Sequence, residues 1–204
     1  MSNFEIRQDS YGIGDVLILK GKWTADIRVH MLENSIAALR LTDSFGFNGH
    51  ELSFLSELTF LRSLELYCWE AKNVNLIEGL PQLEVLGLQY KSQRKVDLSN
   101  FTKLRVALVT WSQGLSSLFK LKSLEILNVS NYPFENIEPI SHMQSLRELY
   151  LTSRKLQSLE GISKLQKLET LDLYNCTYLS TLSGTEHCPQ LDKIEVEACN
   201  RINT

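Results

Sequence analysis

The chain has 204 residues, 43% of them hydrophobic, which is enough apolar material for a full core, and a formal charge of −3. Its 21 Lys and Arg are outnumbered by 24 Asp and Glu and lie scattered, which argues against a nucleic-acid backbone or an anionic membrane as partner. No run approaches ~18 apolar residues and the N-terminus lacks a signal-peptide pattern, so a soluble, cytoplasmic protein is expected.

In chain order, residues 1–35 come first and carry no repeat. Phe4-Glu5-Ile6 and Val16-Leu17-Ile18-Leu19 are β-prone runs separated by a turn-rich stretch with Gly12 and Gly14, which predicts a β-hairpin. With Trp23, Val29 and Met31 it is expected to cap the first repeat unit, covering leucines that have no preceding neighbour.

From Ile36 the pattern LxxLxL recurs, beginning at Ile36, Leu61, Leu83, Leu104, Leu124, Leu146, Leu168 and Leu191, at intervals of 20 to 25 residues. The spacing of three then two fits a short strand whose fourth and sixth residues point one way. The unit from Leu146 to Lys167 is the cleanest, with Leu146, Leu149, Leu151, Leu156, Leu159, Ile162 and Leu165. Its later apolar residues, at threes, suit a 3₁₀ or short helical return. Each unit can bury its leucines only against its neighbours, so the units stack.

These residues resemble the leucine-rich repeat family, and the short unit is similar to those of internalins and of the regulatory subunit of protein phosphatase 1. The resemblance implies an α/β fold: a right-handed horseshoe solenoid with a parallel concave sheet of about eight strands and an N-terminal β-hairpin cap. The expected division is 1–35 for the cap and 36–204 for the repeats, within one folding unit. Family members usually carry Asn or Cys at the ninth position, in a buried ladder that satisfies turn backbone. Here that position reads Ser44, Trp69, Lys91, Ser112, Tyr132, Arg154, Cys176 and Cys199, so only the serines and cysteines fit the ladder. Ala107 replaces a leucine in the shortest repeat, where a bulge would change the strand register.

The third, fifth and seventh strand positions should line the concave face. In the middle units these place Val85, Val106, Leu108 and Ile126 toward water, with Tyr67 and Tyr150 around them and Tyr90 and Trp111 at the loop margin. An apolar and aromatic patch of this kind marks a protein-binding surface. Glu65 and Tyr174 belong to the same face, which turns acidic toward the C-terminal end with Glu148, Asp172, Glu195 and Glu197. Acidity there would steer a basic partner, or would protect an edge strand from pairing.

Little points to catalysis. His30, His50, His142 and His187 all fall outside the strands of the face, and there is no glycine-rich phosphate loop. Glu186-His187-Cys188 has no companion cluster with metal-ligand spacing, so neither metal nor cofactor is expected. Cys68, Cys176, Cys188 and Cys199 lack a disulfide pattern; Cys176 and Cys199 fall in register and are expected as buried thiols. The expectation is a monomeric, non-catalytic module that binds another protein through its concave face. The alternatives are a regulatory subunit acting on a partner enzyme and a toxin-neutralising, immunity-type protein.

Overall fold

The computed structural model describes residues 3–91 and 94–202. The strands fall where the leucine spacing puts them: every one of the eight repeats forms its strand over the third to seventh positions. The chain divides into two compact units, Met1–Leu104 with Ser112–Leu115, and Arg105–Trp111 with Ser116–Thr204.

The first unit opens on an antiparallel hairpin of β1 (Phe4–Gln8) and β2 (Asp15–Leu19). Helix α1 (Ala25–Glu33) comes next, then β3 (Ala38–Thr42), β4 (Ser63–Tyr67) and β5 (Val85–Gln89). Strand β2 pairs parallel to β3 with Leu17 opposite Leu39 and Leu19 opposite Leu41, so the hairpin's second strand is itself the first rung. The helix was not legible in the sequence, because only Ile27 and Met31 of its residues are buried and no apolar stripe forms. Met31 packs inside as expected, whereas Val29 is exposed; Trp23 stacks on Phe54 with centroids 4.4 Å apart.

The second unit is a parallel run of β6 (Val106–Thr110), β7 (Ile126–Ser130), β8 (Glu148–Thr152), β9 (Thr170–Tyr174) and β10 (Lys193–Glu197). Ala107 faces Leu127 with no bulge between β6 and β7. Both units return from strand to strand through short 3₁₀ turns such as Val74–Gly79 and Ile162–Lys164, as the leucines at threes predict. Fourth- and sixth-position residues from Leu39 to Leu173 are buried, forming the core. Among the described residues, no helix is long and apolar enough to cross a membrane.

Two polar devices hold the stack at its margins. At the second position of two pairs of neighbouring repeats, opposite charges face each other one rung apart: Arg62 Nε lies 2.6 Å from Glu84, and Arg147 grips Glu169 with two bonds of 2.9 Å. The other device is the ladder, and its position corrects the sequence reading. After β4, β5 and β8 the inward residue is the eighth, not the ninth: Cys68, Tyr90 and Ser153 are buried, and Trp69 is 46% exposed. After β7, β9 and β10 the turn is one residue longer, with Asn131, Asn175 and Ala198 at positive φ, so Tyr132, Cys176 and Cys199 point inward. Asparagine tolerates that left-handed conformation, and its presence marks the longer turn.

The ladder groups serve backbone atoms that would otherwise be stranded. Cys68 Sγ donates to Leu41 O at 3.4 Å, Cys199 Sγ to Leu173 O at 3.4 Å, and the Cys176 amide donates to Cys199 Sγ at 3.2 Å. Burial pushes the Cys68 and Cys176 thiols up to about 12, so they are protonated donors rather than nucleophiles. Ser153 carries the most: its Oγ donates to Tyr132 O at 2.9 Å and accepts from the amides of Lys155 and Leu156, both at 3.0 Å. Ser153→Ala is expected to cost about 2 kcal/mol, because the buried Tyr132 carbonyl and Leu156 amide lose their partner together with the part-buried Lys155 amide. Urea unfolding measures this, and an unchanged midpoint would show that water takes over the role.

Candidate functional site

The sheet surface opposite the leucine core differs between the units. In the first unit most of it is covered, with Gln89 of β5 exposed. Ser63, Glu65 and Val85 are at most 3% exposed, and Val16 and Ile18, in register with the open-face residues Ala38 and Arg40, are no more than 1% exposed. Arg40 donates to Glu65 Oε1 from Nε at 3.0 Å and from Nη2 at 2.6 Å, and Tyr67 OH donates to Oε2 at 3.0 Å. The Tyr67 ring lies over Gly87, where a Cβ would sit 2.8 Å from Cζ, so the absent side chain is what admits the ring. Burial, then the Glu65 charge, pushes the Tyr67 hydroxyl well above its ordinary range. Tyr11 acts electrostatically on Tyr67, and Asp9 on Arg40, which brings the hairpin turn close to this network.

Several predicted contact residues are therefore internal. Val85 and Val106 do not meet water: each is 0% exposed, packed beside its register partner Ser63 or Ile126. Glu65 is the buried acceptor of an internal network, and Tyr90 is a ladder residue whose hydroxyl donates to Arg94 O at 3.3 Å. Trp111 is half-buried at the loop margin, where it was expected, and joins an aromatic cluster at the turns, 4.9 Å from Phe119 and 6.4 Å from Phe134. Leu108 and Ile126 are half-buried at the start of the second unit's face.

In the second unit the face is open, and the register lines up its residues in rows. The fifth positions run Asn128, Tyr150, Asp172, Glu195; the seventh run Ser130, Thr152, Tyr174, Glu197. Between them lies a shallow depression of about 220 Å³ bounded by Asn128, Tyr150, Asp172, Tyr174 and Glu197. Of the sequence-predicted residues the structure brings together Tyr150, Asp172 and Tyr174 here, with Glu195 in the adjoining position. Asn128 stands at a fifth position and so on the expected face, but was not among the predicted contact residues; register with Tyr150 puts it at the depression.

The electrostatics of this face are one-sided. Tyr150 OH donates to Glu148 Oε2 at 2.7 Å, so one carboxylate is occupied, and Lys193 is held by Glu195 at 3.0 Å. The Asp172 carboxyl is pushed up by burial and then by Glu195 and Glu197, against the pull of Lys193. A carboxyl whose folded pKa is raised weakens the fold as pH climbs through that pKa, since the folded chain prefers it protonated. Asp172→Asn is accordingly expected to be more stable than the native chain at neutral pH, with the difference vanishing below the ordinary carboxyl value of 3.8. Melting temperatures across that range measure it; a pH-independent difference would contradict the account.

The face offers aromatic hydroxyls, an amide and carboxylates, a set suited to recognising cationic and hydrogen-bonding groups. Among the described residues no group of three or more His, Cys, Asp or Glu is placed to hold a metal ion.

A family model for leucine rich repeats (2 copies) matches residues 144–185, the stretch that supplies β8 and β9. A search of curated proteins finds no match to the chain. Among solved structures, the fold is similar to internalin C2 of Listeria monocytogenes at TM-score 0.60 and 23% identity, covering 78% of this chain and 70% of that one. It is also similar to an internalin (inlF) of the same organism, at TM-score 0.55 and 16% identity, covering 76% of this chain and 46% of that one. A plant peptide hormone receptor, RGFR1 in complex with RGF2, aligns at TM-score 0.54 and 15% identity over 94% of this chain and 36% of the receptor. The chain thus spans less than half the length of the latter two.

Proposed function

We propose that this leucine-rich repeat protein is a non-catalytic binding module, which takes a protein partner with a basic contact segment on the open face of β7–β10. The observation that carries the reading is the pair of rows at the fifth and seventh strand positions, where Tyr150 and Tyr174 flank carboxylates that repel one another. A cationic side chain entering the depression relieves that repulsion, and the tyrosines supply rigid contact area around it. The scaffold holds these groups in place before contact, so little ordering entropy is lost on binding. A receptor of the same fold held with RGF2 agrees with a ligand of this polypeptide kind.

The test is affinity capture from a lysate of the source cells with the native chain and with Tyr150→Ala/Asp172→Lys. One protein retained by the native chain and lost from the variant supports the reading. The same proteins on both would place binding elsewhere.

A further inference from the structure

Of the asparagines in the chain, Asn48 alone is followed by glycine. It is exposed and lies in a stretch without regular structure between the 3₁₀ turns Asp43–Phe45 and Ser53–Glu57, on the way from β3 to β4. Among the described residues neither the Asn48 side chain nor the Gly49 backbone N–H has a hydrogen-bond partner. The residues on either side are anchored. Phe47 is 3% exposed and its amide donates to Thr42 O at 3.2 Å. Beyond Gly49, the Lys72 amide donates to His50 O at 2.8 Å, and Asn73 Nδ2 donates to Glu51 Oε2 at 2.7 Å. Asn34, which precedes serine, is held by contrast: its Nδ2 donates to His30 O at 2.8 Å, and the Ser35 amide to Leu32 O at 3.3 Å.

We infer that Asn48-Gly49 is a site of spontaneous deamidation, where Asn48 becomes aspartate or isoaspartate and the isoaspartyl form loosens the loop between the first two repeats. Gly49 N attacks Asn48 Cγ and closes a succinimide: the N–Cγ bond forms, the Cγ–Nδ2 bond breaks, and ammonia leaves with the proton of the Gly49 amide. Water then opens the ring. Addition at Cγ gives aspartate; addition at the backbone carbonyl carbon gives isoaspartate, whose main chain runs through Cβ. Either product takes the formal charge from −3 to −4. Such an attack is fast only where the two groups reach a near-attack geometry. Glycine has no Cβ to shield its nitrogen or restrict its backbone, and at this position no hydrogen bond has to break first. Asn34 meets neither condition. Isoaspartate adds one carbon to the main chain between the anchored Phe47 and His50, and that carbon displaces one anchor. On the His50 side the contacts of His50 O and Glu51 with Lys72 and Asn73 of the next repeat then weaken. The site lies within the first unit and does not rest on the binding reading.

Incubation of the full chain near neutral pH at physiological temperature, followed by trypsin digestion and mass spectrometry, tests this. The tryptic peptide 41–62 carries Asn48 as its one asparagine, and the peptide 29–40 carries Asn34. Peptide 41–62 should gain about 1 Da and separate into two species that co-elute with synthetic aspartyl and isoaspartyl standards. Its rate should exceed that of Asn34 by at least about tenfold and stay within about tenfold of the same peptide free in solution. Asn48→Gln should remove the mass gain and keep the native circular dichroism spectrum, because glutamine would have to close a larger, slower-forming ring. The isoaspartyl chain should melt below Asn48→Asp, which adds the charge without the extra carbon. A rate less than about tenfold above that of Asn34, or more than about tenfold below that of the free peptide, overturns the inference. So does a mass gain in peptide 41–62 that survives Asn48→Gln, or an isoaspartyl chain as stable as Asn48→Asp.

Discussion

Glu65→Ala is expected to cost about 3 kcal/mol, a large part of the stability of a domain this size. The Glu65 side chain is 4% exposed and answers both Arg40, itself 23% exposed, and the hydroxyl of Tyr67. Removing the carboxylate leaves a guanidinium without its counter-charge and a phenol without an acceptor, beneath a ring that Gly87 holds in place. The loss comes from the orphaned partners more than from the pair itself. Arg40→Leu/Glu65→Leu, which removes both charges, should accordingly recover most of it. Urea unfolding followed by circular dichroism decides the matter: a loss below about 1 kcal/mol would mean that water reaches Arg40 and the network is not closed.

Tyr150→Ala with Asp172→Lys is expected to weaken partner binding by at least about 100-fold. Truncating a central tyrosine anchor commonly costs about 2 kcal/mol, or roughly thirty-fold, and reversing the neighbouring charge turns attraction for a basic segment into repulsion. Both residues are half-buried on the sheet's open surface, so the leucine core is untouched and the chain should fold. The Asp172 change also removes a carboxyl whose neighbours Glu195 and Glu197 disfavour its charge. Binding should fall further at high salt in the native chain, because the attraction is between exposed charges. A titration against the captured partner checks both points, and a change of less than about threefold would remove Tyr150 from the anchors.

The strands were legible because a burial period of two is written directly into LxxLxL, and the fourth- and sixth-position pairs from Leu39 to Leu173 found their place in the core, while Ile194 and Val196 of β10 did not. What decides which face residues meet water is less local. Val85 and Glu65 occupy open-face positions by strand parity, yet both are buried: Arg40 and Tyr67 close over the Glu65 carboxylate, with the Tyr67 ring lying across Gly87, and Val85 sits in register with the buried Ser63. Nothing in a one-dimensional spacing reports that a tyrosine two residues away will lie down over a glycine on the next strand. The ladder failed for a different reason: counting to a fixed ninth position assumes one turn length, and the turns after β4 and β8 are a residue shorter than those after β7 and β9. An asparagine just after the strand, as at Asn131 and Asn175, was the available signal. The acidic rows at Asp172, Glu195 and Glu197 could be read because strand parity alone puts them on the open face, where Asp172 is half-buried and the two glutamates are exposed.

The most direct measurement is amide hydrogen exchange of the chain with and without the captured partner. Binding on the open face predicts slowed exchange across the peptides carrying β7 to β10, centred on Tyr150 and Asp172, with the hairpin of β1 and β2 unchanged. Protection confined to that hairpin, or to the 3₁₀ returns, would contradict the account.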